Sequence, residues 1–348
     1  MSDLPIIDLG PLLNKSRSEK RNNDASASSK TEDITPEQKE LAKQIRNACK
    51  NHGFFYICNH GVDEGLMRKT MQSARELFLL PEEEKVKISS KNNPLFRGYI
   101  STSDGLHTCN SKKKKEVGLD QKESFTLGAE AEGPFTSPMH GPNQWPCPES
   151  LPNFRDTVEE YWNAQLTLCR VIARGLSLSL GLDQNFFEPH LSSPVAQMVL
   201  LSYPPPPSSL DDTVCRTKHT GCGEHTDCGF LTILTQDSPG LEVKDPQTDE
   251  WKPVKVLENM FVVNLGDMAA RWTNDAYKST KHRVYNQNDS VRYSIPFFCN
   301  CNFEAPVKCI LTDDDSCDKG NDKADGSAKY EETTAGAYIM ERLGFMRK

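Results

Sequence analysis

The sequence predicts a mainly β protein with flanking helices, whose strands form an antiparallel sandwich or barrel, with a double-sheet jelly roll among the options. Short apolar and β-branched runs follow one another closely between residues 199 and 301, and Pro, Gly, Asn or Asp separates them. The 22 prolines and 21 glycines also favour strands and turns over a helical bundle. Helical periodicity occurs in stretches that flank these runs.

The N-terminal part alternates strand and helix signals. Pro5 to Leu13 is the first strand candidate. Thr35-Pro36-Glu37-Gln38 is a capping box with proline at the first helical position, and Gly53 is placed to end the helix that it opens. Phe54 to Cys58 is predicted as a buried strand. An amphipathic helix over Leu66 to Phe78 is predicted to follow.

The C-terminal part combines a long helix with the strand-rich region. An apolar stripe predicts a helix from Phe154 to Leu180, and Gly181 is placed to end it. A short amphipathic helix is predicted from Ala337 to Leu343. The strand candidates between these helices are VLLSY, FLTILT, LEVKD, WKPVKV, MFVVNLGD, HRVYN and RYSIPFFCNC.

Two polar stretches interrupt this pattern, and we expect both to be surface insertions. Residues 14–34 are too polar to fold alone and are predicted to be flexible, and residues 312–329 have a similar composition. Long loops are predicted between the second helix and residue 150, where periodicity is weak. We therefore divide the chain into an N-terminal region of helices and loops, residues 1–150, and residues 151–348, which hold the long helix and the strand-rich core.

Charge and composition disfavour several functional classes. The 348 residues carry a formal charge of −8, from 41 basic and 49 acidic residues, which argues against nucleic-acid binding. The dense basic run Lys112 to Lys115 is predicted as a solvated loop. No apolar span is long enough for a membrane helix. The opening MSDLPIIDLG lacks a signal-peptide pattern, so we expect a cytoplasmic location and free, mostly buried cysteines. We expect a monomer because no exposed apolar stripe is evident in the sequence.

A histidine and an aspartate, His225 and Asp227, stand two residues apart just before a strand candidate. If both lie on a strand, its alternation sends them to one face, and His282 is the remaining downstream histidine. Two imidazoles and one carboxylate make the facial triad expected of non-haem Fe(II), whereas zinc would more often add a third His or a Cys. The alternative is a turn cap, a carboxylate bonded to backbone amides, and a surface histidine.

A second candidate site follows on the next strand, where Arg292 and Ser294 share one face. A buried arginine needs an anion, and a guanidinium beside a hydroxyl suits a terminal carboxylate. An outward Arg292 in a surface ion pair is the alternative. Neighbouring Ile295 and Phe297 do not decide the facing.

These residues resemble the plant-type Fe(II)/2-oxoglutarate-dependent dioxygenases, a family that includes isopenicillin N synthase. The likeness covers most of the chain, and its pieces occur in the family's order. Each piece alone is modest, whereas the ordered set is highly specific. The matching segments are LPIIDLGPLL, NHGFFYICNHGV, LSYPPPP, EHTDCGFLTILTQD, GLEVKD, VVNLGDMAARWTND, STKHRVYN and RYSIPFF.

The resemblance implies a distorted double-stranded β-helix, or jelly roll, and an oxidoreductase that uses dioxygen. In the implied reaction 2-oxoglutarate is converted to succinate and CO2 while a small organic molecule is oxidised, with hydroxylation as the default outcome. Ascorbate is a candidate reductant. The positions that match the family's iron ligands are His225, Asp227 and His282. The positions that match its contacts to the distal carboxylate of 2-oxoglutarate are Arg292 and Ser294, and Tyr203 matches a tyrosine that assists the co-substrate near the metal.

The residues that recognise the substrate are less well defined. Phe298 matches a position that often packs against substrate in family members, and plain core packing is the alternative. The weakly periodic region around 96–125 is where loops on a rigid scaffold would carry specificity. Arg97, Tyr99 and Phe125 are the candidate pocket residues there, with ordinary loop packing as the alternative.

Leu201 departs from the family pattern, because many 2-oxoglutarate users have Asn two residues before the matching tyrosine. Isopenicillin N synthase-like members also lack that asparagine, and they keep Arg-x-Ser without using 2-oxoglutarate. Two alternatives therefore stay open. One is an iron oxidase whose own carboxylate-bearing substrate is held by Arg292, and the other is a catalytically silent binding protein on the same fold.

Overall fold

Two β-sheets form the centre of the computed structural model, which describes residues 4–13, 34–104, 120–130, 137–207, 220–310 and 328–344. A third sheet has two short strands. The strands are β1 (Ile6–Asp8), β2 (Phe54–Cys58), β3 (Gly98–Ile100), β4 (Glu123–Gly128), β5 (Gln197–Tyr203), β6 (Cys222–His225), β7 (Leu231–Gln236), β8 (Leu241–Lys244), β9 (Trp251–Pro253), β10 (Phe261–Leu265), β11 (His282–Val284), β12 (Arg292–Cys299), β13 (Pro306–Val307) and β14 (Thr333–Thr334).

The larger sheet has the strand order β1-β2-β10-β7-β12-β5-β4-β3, and the smaller has the order β6-β11-β8-β9. All pairs are antiparallel except β1 with β2. Tyr203 and Val262 of the larger sheet share one apolar cluster with Leu241 and Val284 of the smaller. The two sheets thus enclose an interior, which agrees with the predicted jelly roll.

Helices cover the opposite face of the larger sheet. Trp162 packs edge-on against Phe297 of β12 with ring centroids 5.0 Å apart, and Phe78 stacks on Tyr293 at 6.3 Å. This outer layer forms the main hydrophobic core. The helices are α1 (Gly10–Leu13), α2 (Pro36–Asn51), α3 (Glu64–Phe78), α4 (Glu82–Lys87), α5 (Phe154–Ser179), α6 (Asp267–Trp272) and α7 (Ala335–Leu343), with short 3-10 turns at Ser90–Asn92, Thr102–Asp104 and Glu188–Leu191.

The start of α2 confirms the predicted capping box. The Thr35 hydroxyl accepts a hydrogen bond from the Gln38 amide, and the Gln38 side chain accepts one from the Thr35 amide. Gly53 lies just past the helix, where its φ of +65° turns the chain into β2. The hydrogen bonds between Thr35 and Gln38 satisfy backbone amides that the first helical turn leaves unpaired.

Two sequence predictions in the N-terminal part were wrong. The run Pro5 to Leu13 is only partly strand, because the Asp8 carboxylate accepts a hydrogen bond from the Gly10 amide and α1 begins there. The region predicted as long loops contains β3 and β4. Ser124 and Thr126 of β4 alternate with Phe125 and Leu127, so a short period-two signal for this strand was present and was overlooked.

Several other predictions concern residues with little or no described structure. The run Lys112 to Lys115 lies outside the described residues, as does almost all of the two polar insertions, 14–34 and 312–329. The division at residue 150 stays a prediction, although β4 and β5 pair across it. None of the described helices is long and apolar enough to cross a membrane.

Gly53→Ala is expected to lower the free energy of unfolding by roughly 2 kcal/mol or more. The left-handed conformation alone costs about 1–2 kcal/mol for a residue with a side chain. A Cβ atom at this position would also meet the Lys278 carbonyl oxygen at 2.3 Å. Gly181→Ala is the matched control, since φ there is +72° and no atom lies within 4 Å. Equal losses in denaturant melts would contradict the steric part of this argument.

Candidate active site

Three side chains meet in the space between the two sheets. His225 ends β6, and His282 begins β11 directly opposite it in the antiparallel pair. Asp227 Oδ1 lies 3.8 Å from His225 Nε2 and 3.6 Å from His282 Nε2, and all three donor atoms lie within 4.8 Å of one another. Asp227 is not on a strand, so the predicted strand alternation was wrong. The turn between β6 and β7 directs its carboxylate to the two histidines.

The backbone orients both imidazole rings. His225 Nδ1 lies 2.8 Å from the Gly223 carbonyl oxygen, and His282 Nδ1 lies 3.1 Å from that of Thr280. A carbonyl oxygen only accepts hydrogen bonds, so each Nδ1 carries the proton when the ring is neutral. Each Nε2 then carries no proton, and its lone pair points into the cluster, where it can bind a metal ion.

Two polar side chains fix the carboxylate. Asp227 Oδ2 accepts hydrogen bonds from Thr232 Oγ1 at 2.6 Å and Asn264 Nδ2 at 2.7 Å. Oδ1 is left to face the histidines. Neither of these two supports was predicted from the sequence. Thr232 and Asn264 are polar residues within the apolar runs FLTIL and FVVNL, and that irregularity is the signal that could have revealed them.

Burial and mutual charge set the protonation of the cluster. Burial lowers the pKa of His282 to about 4, and His225 acts in the same direction. Burial also disfavours the charged form of His225, but Cys222 and Asp227 outweigh it and raise the pKa of His225 to about 9. Burial opposes the charge on Asp227 as well, yet the two histidines hold its pKa below the usual value. The cluster therefore favours an ionised carboxylate.

The donor set suits a divalent metal ion. Ligand bonds of about 2.1 Å allow two donors on one ion to lie up to about 4 Å apart. Both measured distances from the carboxylate of Asp227 to the histidines meet this limit. Two imidazoles and one carboxylate on one side of an ion leave its other positions open, as in non-haem Fe(II) oxygenases.

Arg292 faces the interior, which the sequence pattern had left open. Its side chain is fully buried, and its Cζ lies 5.0 Å from the ring centroid of Tyr203. It donates to the Ser238 carbonyl at 3.1 Å, to Gln236 Oε1 at 2.8 Å and to Ser294 Oγ at 3.3 Å. Among the described residues no carboxylate lies within ion-pair distance of this guanidinium. A buried cation of this kind is costly unless an anion joins it.

Phe298 shares the inner face of β12 with Arg292 and Ser294, because alternate residues of a strand point the same way. Its side chain is half-buried, whereas Phe297 on the other face is fully buried under the helices. In the register of the sheet Phe298 lies between Gln197 of β5 and Thr232 of β7. Phe298 therefore borders the same interior space as Asp227.

Arg97 does not have the role that the sequence suggested. Its side chain is buried and donates to the carbonyl oxygens of Gly141, Ala129 and Met139. Its Nη1 also donates to Asn143 Oδ1 at 3.3 Å. The guanidinium thus holds together a loop rather than presenting its donors to a ligand, and we correct the expectation of a pocket residue.

Tyr99 and Phe125 point away from the interior. They are paired neighbours on the outer face of β3 and β4, and both are buried. The Tyr99 hydroxyl donates to the Glu123 carboxylate, and Phe125 packs edge-on against Phe154 with centroids 5.9 Å apart. The expectation that they line a substrate pocket is also corrected, because the pleat sends them into the helical layer.

Gln197 is an inner-face residue that the sequence analysis missed. Along β5 the inner side chains at 197, 199 and 201 are half-buried while their outer neighbours are buried, so the inner face borders open space. The side-chain amide of Gln197 makes no hydrogen bond within the described parts of the chain. Gln197 stands between Phe298 and Gly128 in the sheet. The alternation of QMVLLSY is the signal that could have revealed it.

A two-histidine, one-carboxylate cluster inside a jelly roll, with a buried arginine on the same inner surface, defines the class of non-haem iron oxygenases. Residues 4–148 match the family model for the non-haem dioxygenase N-terminal region named for morphine synthesis, and residues 194–300 match that of the 2OG-Fe(II) oxygenase superfamily. The chain belongs to the 2-oxoglutarate/Fe(II)-dependent oxygenases, as the sequence resemblance implied.

Similarity to individual proteins of known class supports the assignment of the chain to this family. The 2-oxoglutarate-Fe(II) type oxidoreductase hxnY of Emericella nidulans is 36% identical over 305 residues, which cover 86% of this chain and 84% of hxnY. The rice homoarginine-6-hydroxylase 2-ODD-233 is 32% identical over 343 residues, covering 98% and 96%. The crystal structure of a full-length Neurospora crassa protein in complex with alpha-KG superposes with a TM-score of 0.76 at 29% identity, covering 98% and 96%.

The chain is therefore a 2-oxoglutarate-dependent dioxygenase, an oxidoreductase that uses Fe(II) and 2-oxoglutarate and acts on a small molecule. The oxidase alternative was motivated by Leu201 and finds no support in these similarities. Leu201 lies on the inner surface between Ser294 and Ser124.

Thr232→Val is expected to weaken Fe(II) binding by at least about tenfold, since losing a support of a metal-binding carboxylate typically costs 10–100-fold. Competition with a chelator under anaerobic conditions measures the change. Thr235→Val is the matched control, because Thr235 is buried on the same strand but on its other face. Equal effects of the two substitutions would contradict a specific role for the Thr232 hydroxyl.

Proposed function

We propose that His225, Asp227 and His282 hold the Fe(II) of this dioxygenase. The convergence of three oriented donors in a buried space supports this assignment. The hydrogen bonds to Asp227 Oδ2 keep the remaining oxygen directed at the ion. A neutral His282 is ready to act as a ligand, whereas His225 would exchange its proton for the metal.

We further propose that Arg292, Ser294 and Tyr203 bind the distal carboxylate of 2-oxoglutarate. The observation that carries this proposal is the buried guanidinium without an acidic partner among the described residues, on the same inner surface as the metal cluster. A carboxylate there would supply the missing negative charge and accept hydrogen bonds from the guanidinium and the hydroxyls.

When bound, the iron and 2-oxoglutarate supply the oxidising chemistry, in which the co-substrate loses CO2 to give succinate while the substrate is oxidised. The chain's own contribution is to bind and orient. Arg292 would hold the distal carboxylate of the co-substrate, and His225, Asp227 and His282 would hold the metal. The two apolar layers around the interior limit access of water to the reacting atoms.

For the substrate we propose a planar, uncharged heterocycle that is hydroxylated. The half-buried ring of Phe298 offers a stacking surface, and the Gln197 amide offers one donor and one acceptor to a ring carbonyl or N–H group. Half-buried Val199 continues this apolar inner surface. Solved structures of the Neurospora crassa protein contain thymine or 5-formyluracil, which are molecules of this kind. We also propose a monomeric cytoplasmic enzyme, on the sequence expectations alone.

Arg292→Ala is expected to weaken 2-oxoglutarate binding at least about a hundredfold while leaving Fe(II) bound, because a charge-assisted contact to the distal carboxylate is lost. Anaerobic titration of the Fe(II) protein, followed through the weak visible band of the chelate, measures it. Arg283→Ala is the matched control, since that arginine lies on β11 and pairs with Glu242 at 2.7 Å. Unchanged affinity in Arg292→Ala would refute the assignment.

Gln197→Leu is expected to raise KM for the substrate about tenfold and to change kcat less than about threefold, because a binding hydrogen bond is lost far from the reacting carbon. Succinate formation with a panel of neutral pyrimidines, purines and pyridines identifies the substrate first. Homoarginine is included, since similar plant enzymes are named for its hydroxylation. Turnover of homoarginine alone would contradict the proposed substrate class.

A further inference from the structure

A second cation, which is half-buried, borders the interior just before β4, the strand that pairs with the Tyr203 strand β5. Lys122 immediately precedes β4, and its side chain is only 17% exposed. Glu123 pairs with Ser202, so Lys122 comes opposite Tyr203 when the register is continued by one residue. Alternation then sends the Lys122 side chain to the inner face, the face that carries Ser124.

The contacts of Lys122 leave part of its hydrogen-bonding capacity unused. Its Nζ donates to Asp120 Oδ2 at 3.1 Å and to Cys222 Sγ at 3.3 Å. An ammonium group has three N–H donors, and these two contacts use two of them. Asp120 is shared, because its Oδ1 accepts a hydrogen bond from the Gly223 amide at 3.1 Å.

A buried lysine of the same sheet region, Lys85, differs from Lys122 in its contacts. Lys85 is 10% exposed, and it meets two carboxylates, Glu123 at 2.8 Å and Glu82 at 3.1 Å. Its ammonium also lies 5.0 Å from the ring centroid of Tyr99. Lys85 thus meets two carboxylates and an aromatic ring within the outer layer, whereas Lys122 meets one carboxylate and one sulfur and keeps one N–H without a partner among its contacts.

Tyr203 lies between two cations that come from its two neighbouring strands. Arg292 of β12 pairs with Tyr203 in the register, and its guanidinium lies against the ring. Lys122 approaches from β4 on the other side. Burial raises the pKa of Tyr203, while the positive charges of Lys122 and Arg292 act to lower it. Both cations therefore act on the surroundings of one hydroxyl group.

We propose that Lys122 is a second cationic anchor for the distal carboxylate of 2-oxoglutarate, on the opposite side of Tyr203 from Arg292. This inference rests on the proposed function, in which that carboxylate lies beside Arg292, Ser294 and Tyr203. Two cations from adjacent strands hold a carboxylate in a defined orientation, which one guanidinium alone does less well.

A purely structural role makes a different prediction. The Gln121 amide donates to the Thr220 carbonyl at 2.8 Å, and the Gly223 amide donates to Asp120 Oδ1 at 3.1 Å. Residues 120–122 therefore stabilise the start of β6, the strand that ends at His225. If Lys122 acted only by stabilising this strand, its loss would disturb the metal end of the site. Every ligand that chelates the iron would then be affected alike.

The test compares two ligands on the anaerobic Fe(II) protein. 2-Oxoglutarate and 2-oxobutyrate share the chelating keto acid end, but 2-oxobutyrate has no distal carboxylate. Lys122→Met is expected to weaken 2-oxoglutarate binding about tenfold and to leave 2-oxobutyrate binding within about twofold. Lys122→Arg keeps the charge and should recover most of the loss. Lys85→Met is the matched control and should leave both affinities unchanged.

The outcomes separate the explanations. Equal weakening of both ligands, or no weakening of either, overturns the role of Lys122. If the wild-type protein does not prefer 2-oxoglutarate over 2-oxobutyrate, the proposed function itself fails at the distal carboxylate. If Arg292→Ala abolishes that preference and Lys122→Met preserves it, only the present inference fails. Lys122→Gln, which can still donate to Asp120, gives the same comparison if the methionine variant folds poorly.

Discussion

The pairing of β6 with β11 is the contact on which the rest of the site depends. It places His225 directly opposite His282, with ring centroids 4.2 Å apart, although the two residues are far apart in the sequence. A slip of one residue in this pairing would turn one imidazole to the other face of the sheet. Gly223 and Thr280 then supply the carbonyl groups that orient the two rings, so the same backbone sets both position and tautomer.

The two faces of the larger sheet have different roles: the outer face packs against the helices, and the inner face carries the residues of the site. On β12 the outer residues Tyr293 and Phe297 pack under the helices, while the inner residues Arg292 and Ser294 carry the proposed co-substrate contacts. The large buried layer lies outside, and it holds the strands in register. The inner face can therefore bear half-exposed and polar side chains that would weaken an ordinary core.

The sequence predicts the fold class and the main site residues because both leave strong local signals. Ligand chemistry and the cost of burying a charge drew attention to the His-x-Asp pair, His282 and Arg292 but left alternatives open, and the resemblance to the family supplied their expected roles. Thr232 and Lys122 were missed because their roles depend on which residues of other strands lie beside them. Such pairings across a sheet are not visible in a single segment. The wrong expectation for Tyr99 and Phe125 has the same physical cause. Their aromatic side chains suggest a pocket, but the residue type does not show which face of the strand they occupy. The pairing of β3 with β4 directs both side chains outward.

In the arrangement that we propose, the distribution of charge across the interior would give the co-substrate a single orientation. Asp227 provides negative charge at the metal end, while Arg292 and Lys122 provide positive charge at the Tyr203 end. A dianion with a chelating end and a plain carboxylate end can satisfy both regions in one direction only. The remaining inner surface, around Phe298 and Gln197, is uncharged, so a neutral substrate can occupy it without competing for either cation. If the substrate is the neutral molecule that we propose, charge alone would direct co-substrate and substrate to different parts of the interior.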